Sequence, residues 1–244
     1  MKHPLALQLY SLRREATMDA EGTVRRVPSL GFEGVELAGT YGWPAEKWKQ
    51  LLAETRLQVV AAHVGLEPLE NEWPVHAEFQ RAVQNRRIIV PALPERLRTL
   101  TGYREAAKRL NELGRRAKAE GFELLYHNHA FEFEKLADGS CGIDILLRET
   151  DPQLVRLEVD TYWVERGGRD SRAFIEQHGA RIGTIHAKEL RKRDNGDVPA
   201  GQGDIDWQFI IPLARKNGWP VIVEYEGHNA VAAVAESARY LSTL

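Results

Sequence analysis

His63, His127, His129, Glu132, Asp160, His186 and Glu224 each fall at or just past the carboxyl end of a short apolar run that reads as a strand. Carboxylates and imidazole drawn from successive strands are the ligand set of a divalent ion. Oxygen donors with one nitrogen suit manganese first, with cobalt, zinc or magnesium as alternatives, and disfavour a thiolate-loving ion. The expected ligands are Glu132, Asp160, His186 and Glu224. Each residue has an ordinary structural explanation too. A single strand-end histidine is commonly a hydrogen-bonded rim residue, and Asp160 before Thr161 and Tyr162 fits a helix cap. Four such termini together resist that explanation, because unpaired buried charge is costly. Glu226 shares a strand face with Glu224 by the two-residue period, as a partner behind the ion or an alternative ligand.

Such a site implies removal of a proton α to a carbonyl, with an ion-stabilised enediolate. One carboxylate takes the proton. A second on the opposite face can return it, giving epimerisation, or the first can deliver it to the adjacent carbon, giving isomerisation. Glu132 and Glu224 are expected in these roles. Loss of a β-hydroxyl from the same enediolate would instead make a dehydratase, with His63 and His129 as acids titrating near working pH.

The elements that must position these groups alternate along the chain. Strand candidates begin at Leu5, Gly34, Leu57, Arg87, Phe122, Leu154, Arg181 and Pro220. Between them lie helical patterns such as the segment from Tyr103 to Gly121, with apolar residues at three- and four-residue steps. Glycines 31, 121, 179 and 218 mark the expected helix-to-strand junctions. Eight strands in strict alternation with helices need parallel pairing, and eight is the number that closes a filled barrel. A doubly wound open sheet would carry a glycine-rich turn after an early strand, and the first strand here runs into Tyr10-Ser11-Leu12-Arg13 instead. The expected fold is an α/β, single-domain (β/α)8 TIM barrel over residues 1–244. Residues 188–207 read as one long irregular loop, whose run Arg191-Lys192-Arg193 is either a solvated face or an anchor for a polyhydroxy or anionic substrate.

Composition narrows the function classes. Thirty-three Lys+Arg against 35 Asp+Glu give a net charge of -2, which argues against a broad basic field for nucleic acid. The single cysteine, Cys141, precludes an internal disulfide and a cysteine-rich zinc site. The opening segment is too broken to be a signal core, and no stretch approaches the roughly 20 apolar residues of a membrane span. A cytoplasmic protein with no nucleic-acid or membrane partner is expected.

The sequence resembles the xylose-isomerase-like barrel family of sugar (phosphate) isomerases and epimerases, which includes inosose dehydratases and hydroxypyruvate isomerases. The resemblance is carried by LQLYSLR at Leu7, GFEGVELAG at Gly31, YHNHAFEF at Tyr126, LEVDTYWV at Leu157, IHAKE at Ile185, GQGDIDW at Gly201 and VIVEYEG at Val221. It implies a metal held by Glu, Asp, His and Glu from the last four strands. Asp160, His186 and Glu224 fall on clear matches. The strand-five position holds Leu125-Tyr126-His127 where many relatives have Leu-Glu, so Glu132 is the substitute and His127 or His129 the rivals. Lys188 matches a lysine that faces substrate oxygens in relatives. Gln8, Tyr10, Glu36, His63, His127, Trp163 and Trp207 are expected around the substrate, with Trp163 stacking on a sugar face or simply packing. The leading expectation is a metal-dependent isomerase or epimerase of a keto-sugar or related polyol. The alternative is an inosose or 3-keto-glycoside dehydratase, and behind both stand a DNA-repair endonuclease and a non-catalytic sugar binder. The endonuclease would need more ligands than this chain offers, since His3, His76 and His178 lie off the expected mouth. A homodimer or homotetramer is the oligomer that the resemblance implies.

Overall fold

A computed structural model describes residues 4–244. Eight parallel strands close into a barrel: β1 (Ala6–Gln8), β2 (Gly34–Leu37), β3 (Gln58–His63), β4 (Arg87–Val90), β5 (Glu123–His127), β6 (Val155–Asp160), β7 (Ile182–Ala187) and β10 (Val221–Val223), with β10 pairing back onto β1. Two further short strands, β8 (Glu189–Arg191) and β9 (Gly196–Val198), form an antiparallel hairpin after β7. The expected (β/α)8 barrel is therefore the observed fold. The stretch read as one irregular loop differs: its first half is this hairpin, because Asp194, Asn195 and Gly196 supply the turn, with Asn195 at positive φ.

The helices form where the apolar spacing predicts. The helix α4 (Leu100–Ala119) buries Tyr103, Ala106, Ala107, Leu110, Leu113 and Ala117, a stripe at three- and four-residue steps facing the strands. The Thr99 hydroxyl accepts the Gly102 N–H at 3.1 Å and starts the helix. Gly121, at φ +83°, turns the chain back into β5, since a left-handed residue there favours glycine. Gly179 does not act this way. It is right-handed and opens a short 3-10 turn before β7.

Period-two alternation sorts the barrel interior into layers. Ala6, Val60, Ala61, Ile89, Leu125 and Ile222 form an apolar plug. Two residues further along several strands the inward positions turn polar: Gln8 after Ala6, Glu36 after Gly34, His63 after Ala61, His127 after Leu125. Register then sets neighbours. Gln8 pairs with Glu36, His127 with Glu158, Glu158 with Thr184, and Asp160 with His186. A polar layer thus sits on a hydrophobic floor at the carboxyl ends of the strands, where barrel active sites lie.

Candidate active site

Asp160 ends β6 and caps the short helix α6 (Thr161–Arg166). Its Oδ1 accepts the Trp163 N–H at 2.9 Å. Oδ2 is buried with no hydrogen-bond partner, and so is Nδ1 of His186. Glu224, one residue past β10, brings Oε2 to 3.2 Å from that Nδ1 without making a hydrogen bond. One donor atom from each of Asp160, His186 and Glu224 lies within 4.8 Å of the others. Burying unpaired acceptors of this kind is costly unless something binds them. A divalent ion is what oxygen and imidazole donors in this arrangement fit. The cap reading of Asp160 is thus correct for one of its oxygens and leaves the other without a partner.

A second group lies deeper: His63, His127, Glu158 and His186. Glu158 is fully buried in β6, and the sequence reading passes over it. Its Oε2 meets His63 Nε2 at 2.8 Å, His127 Nδ1 at 3.1 Å and His186 Nε2 at 3.1 Å, while Oε1 accepts the Thr184 hydroxyl at 2.8 Å. Glu36 Oε2 accepts from Gln8 Nε2 at 2.7 Å and lies 2.5 Å from His186 Nε2. Gln8 and Glu36, expected to touch substrate, are instead fully buried among these side chains. Burial alone would raise Glu158, but His186 and the His127 and His63 hydrogen bonds outweigh it and hold the carboxyl well below its usual range.

Glu132 belongs to neither group. The Tyr126 hydroxyl donates to its Oε1 at 2.5 Å and the His129 N–H to its Oε2 at 2.8 Å. Burial pushes this carboxyl up to about 8 in spite of those two donors. The two histidines expected to titrate near working pH do not. Burial, reinforced by His127, lowers His129 to about 3. For His63 burial is outweighed by the Glu36 and Glu158 carboxylates, which raise it to about 10.

Above these groups opens a cavity of about 500 Å³, lined by Tyr10, His63, His127, His129, Trp163 and Glu224 among others. Both acidic side chains on its wall, Glu224 and Glu226, come from just past β10. The imidazoles of His63, His127 and His129 and the Tyr10 phenol supply its other ionisable groups. Lys188 is almost fully buried. It donates to Glu224 at 3.0 Å and to Glu226, and lies 4.8 Å from the Trp163 ring centroid. Burial would lower it, but Glu224, Asp160 and Glu226 raise it well above its usual range. Burial likewise opposes Glu224, whose carboxyl is nonetheless held low by Lys188 and His186. Trp163 stands 5.4 Å from the His129 ring, at the cavity wall.

Other expected positions fall elsewhere. Trp207 is buried at the start of α8 (Trp207–Asn217) and donates to Glu189 at 2.7 Å, so it packs the hairpin base and does not line the cavity. Arg191 pairs with Asp194 at 2.7 Å and Lys192 with Glu165 at 3.1 Å, a solvated face. His76 and His178 sit on the helices α3 (Leu66–Ala82) and α7 (Ser171–His178), away from both donor groups. His3 lies outside the described residues. Glu158 had a signal available: Arg156, Glu158 and Asp160 repeat at two-residue spacing in an otherwise apolar strand. No helix among the described residues is long and apolar enough to cross a membrane.

Residues 24–244 match the xylose isomerase-like TIM barrel family. The chain is similar to an inosose dehydratase of Clostridium beijerinckii, at 25% identity over 89% of this chain and 86% of the relative. Among solved structures it is similar to a sugar phosphate isomerase/epimerase from Parabacteroides distasonis, with TM-score 0.85, 24% identity and 98% of each chain covered. It is also similar to the probable 3-DHS dehydratase of petrobactin synthesis from Bacillus anthracis, with TM-score 0.78, 18% identity and 99% of each chain covered.

Proposed function

The chain belongs to the xylose isomerase-like TIM barrel family, and we propose that it is a divalent-metal-dependent dehydratase of a polyhydroxylated ketone, an inosose or a 3-keto-glycoside. Asp160, His186 and Glu224 would hold the ion, with His127 taking the strand-five place; its ring centroid is 4.7 Å from that of His186. Manganese is the first choice, with cobalt, magnesium or zinc as alternatives. When bound, the ion supplies positive charge beside the substrate carbonyl.

The observation that carries this reading is the asymmetry of the cavity. Its carboxylates, Glu224 and Glu226, come from one strand end, while His63, His127 and His129 provide the imidazoles. Epimerisation by two carboxylates needs Glu132 opposite Glu224, and Glu132 is tied to Tyr126 and the His129 N–H. Elimination needs a base and an acid. Glu224, held ionised by Lys188, takes the α-proton. His63, kept protonated by Glu36 and Glu158, gives a proton to the departing hydroxyl. Trp163 provides a flat face for the ring of the substrate.

This ordering reverses the expectation from sequence, in which isomerisation stands first. Isomerisation or epimerisation remains the second reading, favoured by His129. Its Nδ1 is buried and free of partners and its ring is neutral at pH 7, so the ring could carry a proton between carbon atoms. The protein, loaded with manganese, is incubated in deuterated water with a panel of inososes, 3-keto-glycosides and ketohexoses. Loss of water with a new enone absorbance is expected. Deuterium in a recovered ketose without loss of water would instead favour the second reading, and neither outcome across the panel would overturn both.

A further inference from the structure

An ionised carboxylate has only acceptors, so every imidazole nitrogen that faces one at hydrogen-bonding distance must carry a proton. Glu158 Oε2 faces three: Nε2 of His63, Nδ1 of His127 and Nε2 of His186, at 2.8, 3.1 and 3.1 Å. Glu36 Oε2 repeats the demand on His186 Nε2 at 2.5 Å. In a neutral ring the other nitrogen is then bare. For His186 that nitrogen is Nδ1, which points at Asp160 Oδ2 and Glu224 Oε2, 3.7 and 3.2 Å away, and hydrogen-bonds to neither. For His127 it is Nε2, on a ring that lines the cavity.

We propose that Glu158 is a positioning residue that fixes one proton on His127 Nδ1 and one on His186 Nε2, so that the nitrogen each ring has left to offer an ion is Nε2 of His127 and Nδ1 of His186. It touches neither substrate nor ion. Thr184 fixes its second oxygen at 2.8 Å, and the barrel packs it at zero exposure, so it cannot swing to another partner. One carboxylate in the barrel interior thereby couples strands β3, β5, β6 and β7. A glutamine there keeps the shape but removes the charge: with its amide oxygen toward the rings and its NH2 toward the Thr184 hydroxyl, it accepts from the three N–H groups more weakly and holds their protons less firmly. The consequence for ion binding rests on the reading of Asp160, His186 and Glu224 as ligands. The proton assignment does not.

Two measurements on the intact protein test this. In manganese titrations followed by electron paramagnetic resonance, Glu158→Gln should weaken binding about 10–100-fold, the range found when an outer partner of a ligating histidine is lost. Glu158→Asp should recover part of the loss, and Glu132→Gln should bind as wild type does. Equal affinity in E158Q and wild type would overturn the proposal, and so would two manganese ions per chain, since Glu158 would then hold an ion in place of protons. Nitrogen-15 histidine spectra of wild type, metal-free and zinc-loaded, give the second readout and do not depend on E158Q folding. Protons are expected on His186 Nε2 and His127 Nδ1 in both states. A proton on Nδ1 of His186 in the zinc form, or none on Nδ1 of His127, would overturn it. A wild type that binds neither ion yet keeps those protons would sink the metal reading and leave the assignment standing.

Discussion

Glu132 carries its carboxyl group at zero exposure under Tyr126 and the His129 backbone, with a proton affinity raised by burial to about 8 from an ordinary 4.5. Between those values the unfolded chain is ionised there and the folded chain is protonated. The folded state then binds more protons, so stability falls as pH rises across this window and levels off above it. Glu132→Gln is neutral throughout. Relative to E132Q, wild type should lose thermal stability between pH 5 and pH 9, as read from melting curves of both proteins. Parallel curves would show that the carboxyl is ionised in the fold. Asp160, His186 and Glu224 were legible because a strand end is a position that sequence can locate to within a residue or two. Glu132 stands apart from them because spacing within YHNHAFEF says nothing about where a 3-10 turn aims a side chain; the turn Phe131–Phe133 aims Glu132 at Tyr126. Glu158 was missed because a buried acid inside a strand is unfavourable by itself and becomes tolerable only with three imidazoles around it.

At the scale of elements, the hairpin of β8 and β9 shows how a segment that reads as loop acquires order. Glu189 is buried and accepts the N–H groups of Gly201 and Ile205 at 3.0 Å each and the Trp207 indole at 2.7 Å. It clasps the GQGDIDW segment against the start of α8. Gly203 has to be small there, since a Cβ would come within 2.4 Å of the Leu190 carbonyl oxygen. On the far arm, Asp197 Oδ2 accepts the Glu226 N–H at 2.7 Å and ties the hairpin to the end of β10. Glu189→Ala would strand three donors, each buried or partly buried, at about 1–3 kcal/mol apiece before relaxation. A net loss of about 3 kcal/mol is expected in denaturant unfolding. A loss below about 1 kcal/mol would mean that water replaces the carboxylate and the clasp contributes little. The strands themselves were legible, and their ends to within two or three residues: those expected from Leu5, Phe122 and Pro220 stop at Gln8, His127 and Val223, where the chain turns to present side chains at the mouth.

The whole molecule is a barrel with an apolar floor and a polar mouth, and the proposed ion site draws on β6, β7 and the end of β10. An ion bound only by the folded state stabilises that state by mass action, about 2.7 kcal/mol at a hundred times the dissociation constant. For a chain of this length that is a rise of roughly 5–10 °C in Tm. Manganese at that concentration should produce such a rise in wild type and none in Asp160→Asn, with a chelator reversing it. An equal rise in D160N would place the ion elsewhere.

The sequence by itself determined the eight alternating strands, the barrel they close and the strand ends at which Asp160, His186 and Glu224 stand, because period, turn residues and strand polarity are local properties. Only the tertiary structure decided which neighbours those groups meet. Glu158 facing three histidines, Glu36 behind His186 and Glu132 turned to Tyr126 all depend on strand register and on the direction of side chains across the barrel. These are pairings between residues as far as 150 positions apart in the chain, and no local pattern encodes them.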